Sequence, residues 1–131
     1  MIAGVYWDIE NMFFRYQQLV RKHIRNRGYE LGPKFISTSE KNTYRFTGIK
    51  NKRGFKHVMG PNAKNGADVK LLNRIHKDIS EGNMDLIVIV SNDKVFHKIK
   101  TDKPVIIFHD YKELTTDKDI ELIYIYNNFK D

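Results

Sequence analysis

Cysteine is missing altogether from the 131 residues. Its absence removes disulfides, thiolate metal sites and cysteine nucleophiles together. Long hydrophobic runs are missing too: no apolar stretch approaches the ~20 residues that a membrane span requires. No basic segment followed by an apolar one opens the chain, because residues 2–7 are too few for a signal sequence. The expected setting is therefore the cytoplasm, with no membrane partner. Metal-ligand spacing is absent from the scattered His57, His76, His97 and His109, which read as surface or core residues, with His97 and His109 as candidate phosphate contacts. Hydrophobic residues still make up 40% of the chain and aromatics 12%. Disorder is thus not the default, and the length suits one domain, residues 1–131, with a three-layer core.

Acids are scarce where bases are dense. Between Lys41 and His76 stand nine bases: Lys41, Arg45, Lys50, Lys52, Arg53, Lys56, Lys64, Lys70 and Arg74. One acid, Asp68, interrupts them, for a balance of +8 against +7 for the whole chain. A basic middle of this density points to a polyanion, most often nucleic acid. Lys52, Arg53, Lys56, Lys64, Lys70 and Arg74 are its candidate phosphate contacts.

The chain is organised around Ile2-Ala3-Gly4-Val5-Tyr6-Trp7-Asp8-Ile9-Glu10-Asn11. A short apolar run without polar alternation reads as a strand buried on both faces of a parallel sheet. Met12, Phe13, Tyr16, Leu19, Val20 and Ile24 follow at helical spacing, as one buried face of a helix ending at Gly28. Gly32-Pro33 reads as a turn, residues 34–37 as a short strand, and residues 39–53 as either strand or helix. Phe55–Met59 reads as a strand, and Ala67–Ile79 as a helix burying Val69, Leu71, Leu72, Ile75 and Ile79. Leu86–Val90 carries the strongest strand signal. A short helical piece to Ile99, a strand over Pro104–Phe108 and an edge strand from Glu121 complete the pattern. Alternating strands and helices predict an α/β fold: three layers, with a mostly parallel central sheet of about five strands flanked by helices.

Three acids then hold equivalent places. Asp8 ends the first strand, Asp93 follows Leu86–Val90, and Asp68 lies in the first turn of the second long helix. Ligands of open α/β sheets sit beyond the carboxyl ends of the strands, and right-handed crossovers bring those ends to one edge. The three carboxylates are expected to converge there. Close carboxylates repel unless a hard divalent cation neutralises them, and an oxygen-only donor set suits Mg²⁺ or Mn²⁺. The competing reading makes each acid a separate helix cap.

Val5-Tyr6-Trp7-Asp8-Ile9-Glu10-Asn11 resembles the opening strand-Asp-x-x-Asn of NYN domains, members of the PIN-like nuclease superfamily. Lys64-Asn65-Gly66-Ala67-Asp68-Val69-Lys70-Leu71 resembles their Lys-x-x-x-Asp-hydrophobic-x-Leu helix start. Leu86 to Phe96, through Ser91-Asn92-Asp93, resembles their strand-Ser-Gly-Asp-Ser-Asp-Phe element. The resemblance implies a PIN-like fold and a metal-dependent ribonuclease, with Asp8, Asp68 and Asp93 as catalytic metal ligands and Asn11 as an orienting residue. The chain departs from the pattern at Val95 and Arg74, where the family commonly has acids, and at Asn92, where it has Gly. Glu10, Ser91 and Asp110, near strand ends, are auxiliary candidates. The alternative is an NYN-type module that binds RNA or a protein without cutting. A phosphotransferase with an Asp-x-Asp start is disfavoured by Glu10 at its second position. The expected partner is nucleic acid, RNA ahead of DNA, with a homodimer left open.

Overall fold

The structure is a computed structural model that describes residues 1–43 and 54–128, and the side chains of residues 127 and 128 are excepted. Lys52 and Arg53 lie outside the described residues, as does most of the ambiguous stretch 39–53. Six strands form the sheet: β1 (Ile2–Asp8), β2 (Glu30–Ser39), β3 (Lys56–Gly60), β4 (Leu86–Val90), β5 (Val105–His109) and β6 (Glu121–Tyr124). Their order is β3-β2-β1-β4-β5-β6, and every neighbouring pair is parallel. The expected architecture thus holds, with one strand more than the five anticipated.

Parallel strands need a crossover between them, and the two long helices supply it from opposite faces. α1 (Gln17–Asn26) links β1 to β2, and α2 (Gly66–Ser80) links β3 to β4. β1 shows why the sheet has two faces of core. Ala3, Val5 and Trp7 pack with Val20 and Ile24 of α1. Tyr6, one residue out of phase, packs with Leu71 and Ile75 of α2. All of β4 and β5 is buried, as an apolar run without alternation requires.

Three local expectations change. Gly32-Pro33 is no turn but a bulge inside β2: Ala3 pairs with Leu31 while Val5 pairs with Lys34. Proline has no N–H for a ladder, and a bulge lets a strand carry it. The first helix begins five residues later than its spacing suggests. The N–H groups of Asn11 and Met12 turn back to the Asp8 carbonyl at 3.3 and 3.0 Å, and Trp7 Nε1 donates to the Met12 carbonyl at 2.9 Å. That closed turn moves Phe13 off the buried face; it is 60% exposed. On α2, Val69 faces outward, and the buried places beside Leu71 and Ile75 go to Asp68 and Asp78.

At Gly60 of β3 and Gly66 of α2 the two backbones meet without side chains between them. A Cβ on Gly60 would lie 2.4 Å from the Gly66 carbonyl oxygen and 2.7 Å from the Ala67 Cα. Only glycine permits that approach, and it sets the start of the helix that carries Asp68.

Candidate active site

β1 and β4 are the neighbours at which the strand order reverses direction, the place where sheets of this kind hold ligands. β1 ends there in Asp8, and β4 runs there into Ser91-Asn92-Asp93. Asp8, the last residue of β1, is 1% exposed. Its carboxylate accepts from Asn11 Nδ2 at 3.2 and 3.0 Å and from Ser91 Oγ at 2.9 Å. Ser91 in turn accepts the Asp93 N–H at 3.0 Å. Asp93 caps the short 3₁₀ turn Lys94–Lys98, taking the Val95 N–H at 3.0 Å. One hydroxyl therefore fixes both acids, and Ser91, read from the sequence only as auxiliary, is the link between two strand ends.

Asp68 arrives from α2, where Asn65 stands at φ 60° just ahead of the first turn. It meets the other two acids in one cleft of 540 Å³. Glu10 lies on the same wall, and Lys41, Asn62 and Lys64 line the cleft as well. Glu10 is anchored by the Ser39 N–H at 2.7 Å and by Asn42 Nδ2. Sequence reasoning missed Ser39, Asn42 and Asn62, because their roles depend on which loop faces which.

The acids act on one another. Burial pushes the Asp68 carboxyl up to about 8; the Asp8 charge, a hydrogen bond with Asp93 and the Asp93 and Glu10 charges all add to it. Asp8 is raised as well, first by burial and further by Asp93 and Glu10, while hydrogen bonds from Asn11 and Ser91 work the other way. In neutral solution without a cation, Asp68 thus carries a proton in the folded protein.

This has a consequence for stability. Unfolded, the same carboxyl releases its proton near 3.8. Between that value and about 8 the folded state binds more protons, so stability must fall as pH rises through the interval. In EDTA, urea midpoints are expected to drop steadily from pH 5 to pH 8 and then level. Asp68→Asn should remove most of that slope and give the more stable protein at pH 8.

The other named residues are placed differently. Asp110 does not line the cleft: Asn92 Nδ2 donates to its Oδ1 at 2.6 Å, and Asn92 Oδ1 accepts the Asp110 N–H at 2.9 Å. Asn92, where the family pattern has Gly, thereby ties the end of β4 to the end of β5. Arg74 is engaged within the fold. Its guanidinium pairs with the fully buried Asp78 at 2.9 Å and lies 4.5 Å above the Phe35 ring. Lys56 and Lys70 are exposed on β3 and α2, away from the cleft.

A parallel α/β sheet with acids gathered at its reversal point is the architecture of PIN-like nuclease domains. The NYN domain family matches residues 2–103, and the chain belongs to that family. No curated protein matches the chain closely enough to add a relative. Among the described residues, no helix is long and apolar enough to cross a membrane.

Proposed function

We propose that the cleft hydrolyses phosphodiester bonds in RNA with the aid of a divalent cation, Mg²⁺ or Mn²⁺, held by Asp8, Asp68 and Asp93. The observation that carries this reading is the convergence of three carboxylates from three elements on one cleft, where burial and the neighbouring charges raise the Asp68 carboxyl. Among the described residues, no group of three or more His, Cys, Asp or Glu side chains stands arranged to hold a metal ion. The donors nevertheless fit a hard cation in kind: all are oxygens, and their mutual repulsion is what a positive charge relieves. Such an ion, when bound, lowers the pKa of a water and offsets charge on the phosphate.

The protein's own groups do the rest. Asn11 and Ser91 hold the Asp8 carboxylate in one orientation. A cation among these acids would favour the ionised form of Asp68, whose carboxyl burial and the neighbouring charges otherwise raise. Lys41 and Lys64 offer two positive charges on the cleft wall for the backbone on either side of the scissile bond. Labelled single-stranded RNA incubated with Mn²⁺, with Mg²⁺ and with EDTA tests the reading: cleavage with either metal and none in EDTA supports it. No cleavage under any ion, with folding intact, removes it.

The second reading, an RNA-binding module without hydrolysis, is favoured by Val95. Where the family commonly has an acid, this side chain is half-buried against the apolar cluster of α2 and β4. Both readings require a phosphate path through the cleft. Each neutralised phosphate contributes about −0.7 to the slope of log affinity against log salt on single strands. Changing Lys41 and Lys64 to Ala together should flatten that slope by about 1.4, whereas changing Lys70 should leave it alone. Filter binding across a salt series in EDTA measures both.

A further inference from the structure

Five aromatic rings run in unbroken contact from the turn after β1 to the carboxyl ends of β5 and β6. Phe13 meets Tyr16 edge-on at 6.0 Å, and Tyr16 meets Tyr126 at 5.9 Å. Tyr126 meets Tyr124 at 5.6 Å, and Tyr124 meets His109 at 5.8 Å. The two tyrosine hydroxyls of Tyr16 and Tyr126 are 2.6 Å apart. Tyr16 is buried and anchors the row; Phe13 and Tyr126 are 60% and 37% exposed. The Arg15 guanidinium lies 4.7 Å over the Phe13 ring and 5.5 Å over Tyr16.

Placement links this row to the cleft. Phe13 stands on the turn that closes on the Asp8 carbonyl, and Trp7 Nε1 locks that turn through the Met12 carbonyl. Phe13 thus follows the buried Asp8 by five positions on a closed turn rather than a loose loop, and is not itself among the residues lining the cleft. At the other end, Tyr124 of β6 meets His109, the last residue of β5, so the row runs from the turn after β1 to the end of β5. An exposed phenyl ring under a guanidinium costs water contact and contributes nothing evident to the core. Aromatic faces interleaved with a cation beside a phosphate path are the means by which proteins hold unpaired bases, because every base has a face to stack.

We infer that Phe13, Arg15 and Tyr126 form a base-stacking shelf, which holds unpaired nucleobases of a single-stranded chain whose backbone passes through the acidic cleft. The inference rests on the nucleic-acid reading of that cleft and gives its ligand a class: single strands rather than duplexes. Stacking is sequence-tolerant, so the shelf selects for unpaired bases and not for a particular base.

The test is made in EDTA, where nothing is cut. The probes are a single-stranded RNA 12-mer containing 2-aminopurine, an abasic strand of equal charge, and the corresponding duplex. The wild-type protein is expected to quench 2-aminopurine and to prefer the base-bearing strand over the abasic one by about tenfold, in line with stacking of one or two bases. Phe13→Ala should cut that preference about fivefold or more without altering the salt slope, and Phe13→Trp should restore it. Equal affinity of wild type for the base-bearing and abasic strands overturns the shelf. So does an unchanged preference in Phe13→Ala. A sedimentation shift from dimer to monomer in Phe13→Ala, with base preference intact, would assign the rings to contact between copies and also overturn it. The cleavage assay fails or succeeds separately: a protein that stacks bases but cuts nothing loses the nuclease reading alone, and one that cuts without base preference loses the shelf alone.

Discussion

Asp8→Asn is expected to lower metal-dependent RNA cleavage by at least about 100-fold while making the metal-free protein harder to unfold. Replacing even a residue that orients a metal ligand typically costs 10–100-fold; removing a ligand's charge should cost no less. Ser91→Ala, which deletes the hydroxyl shared by Asp8 and Asp93, is expected to fall inside that 10–100-fold range. The gain in stability has the same origin as the loss of activity. Asp8 is buried and its carboxyl is raised, so ionising it in the fold works against burial and against Asp93 and Glu10. An amide of the same shape has no such penalty. Single-turnover cleavage at saturating Mn²⁺ and urea unfolding in EDTA, made on the same preparations, read the two halves. A variant that loses activity and stability together would point to misfolding instead.

Arg74→Ala is expected to be the most damaging single change to the fold among the basic residues. Asp78 has no exposed surface, and its two oxygens meet the Arg74 guanidinium and the Tyr6 hydroxyl, the latter at 2.8 Å. Removing one partner of a buried pair leaves an uncompensated charge, typically at a cost of about 3–5 kcal/mol. Arg74 is itself 30% exposed, so the lower end, about 3 kcal/mol, is the expected value. Affinity for single-stranded RNA should change little once the protein is assayed below its new melting temperature. Denaturant titration and filter binding on Arg74→Ala separate the two roles. A stable variant with weakened RNA binding would return Arg74 to the phosphate path.

Arg74 illustrates where a sequence stops being readable. As a letter among nine bases it looked like one more phosphate contact; only the fold places Asp78 one helical turn on, turned inward to Tyr6 of β1. The strand ends were legible because an apolar run that halts at Asp8 or at Ser91-Asn92-Asp93 has only one arrangement in a parallel sheet. Their neighbours at one edge followed from crossover handedness. Val69 was misplaced because helical spacing alone cannot tell which of two adjacent stripes faces the sheet, and an acid inside the buried stripe reads as an exception to it. Phe13 was misplaced for a different reason. The turn closed by Trp7 Nε1 replaces the first residues of the apparent helix: Met12, Tyr16, Val20 and Ile24 keep their buried places, and Phe13, inside that turn, faces out. The aromatic row was illegible for the same reason, since its rings come from positions as far apart as Phe13 and Tyr126.

The pairing of β1 with β4 also governs how the molecule must be made. Ala3 pairs with Leu86, and Ser91 reaches Asp8 across 83 positions of chain. A ribosome adding about 5–20 residues per second needs roughly 4–17 s to deliver that partner. Throughout the wait, β1 is an apolar strand with one long edge unfilled, the state most prone to pair with a neighbouring chain. Closing so long a loop carries an entropic cost, and Asp93 joins the other two acids only once β4 has been made and paired with β1. Until then the nascent chain is spared the repulsion that Asp93 adds to Asp8 and Asp68.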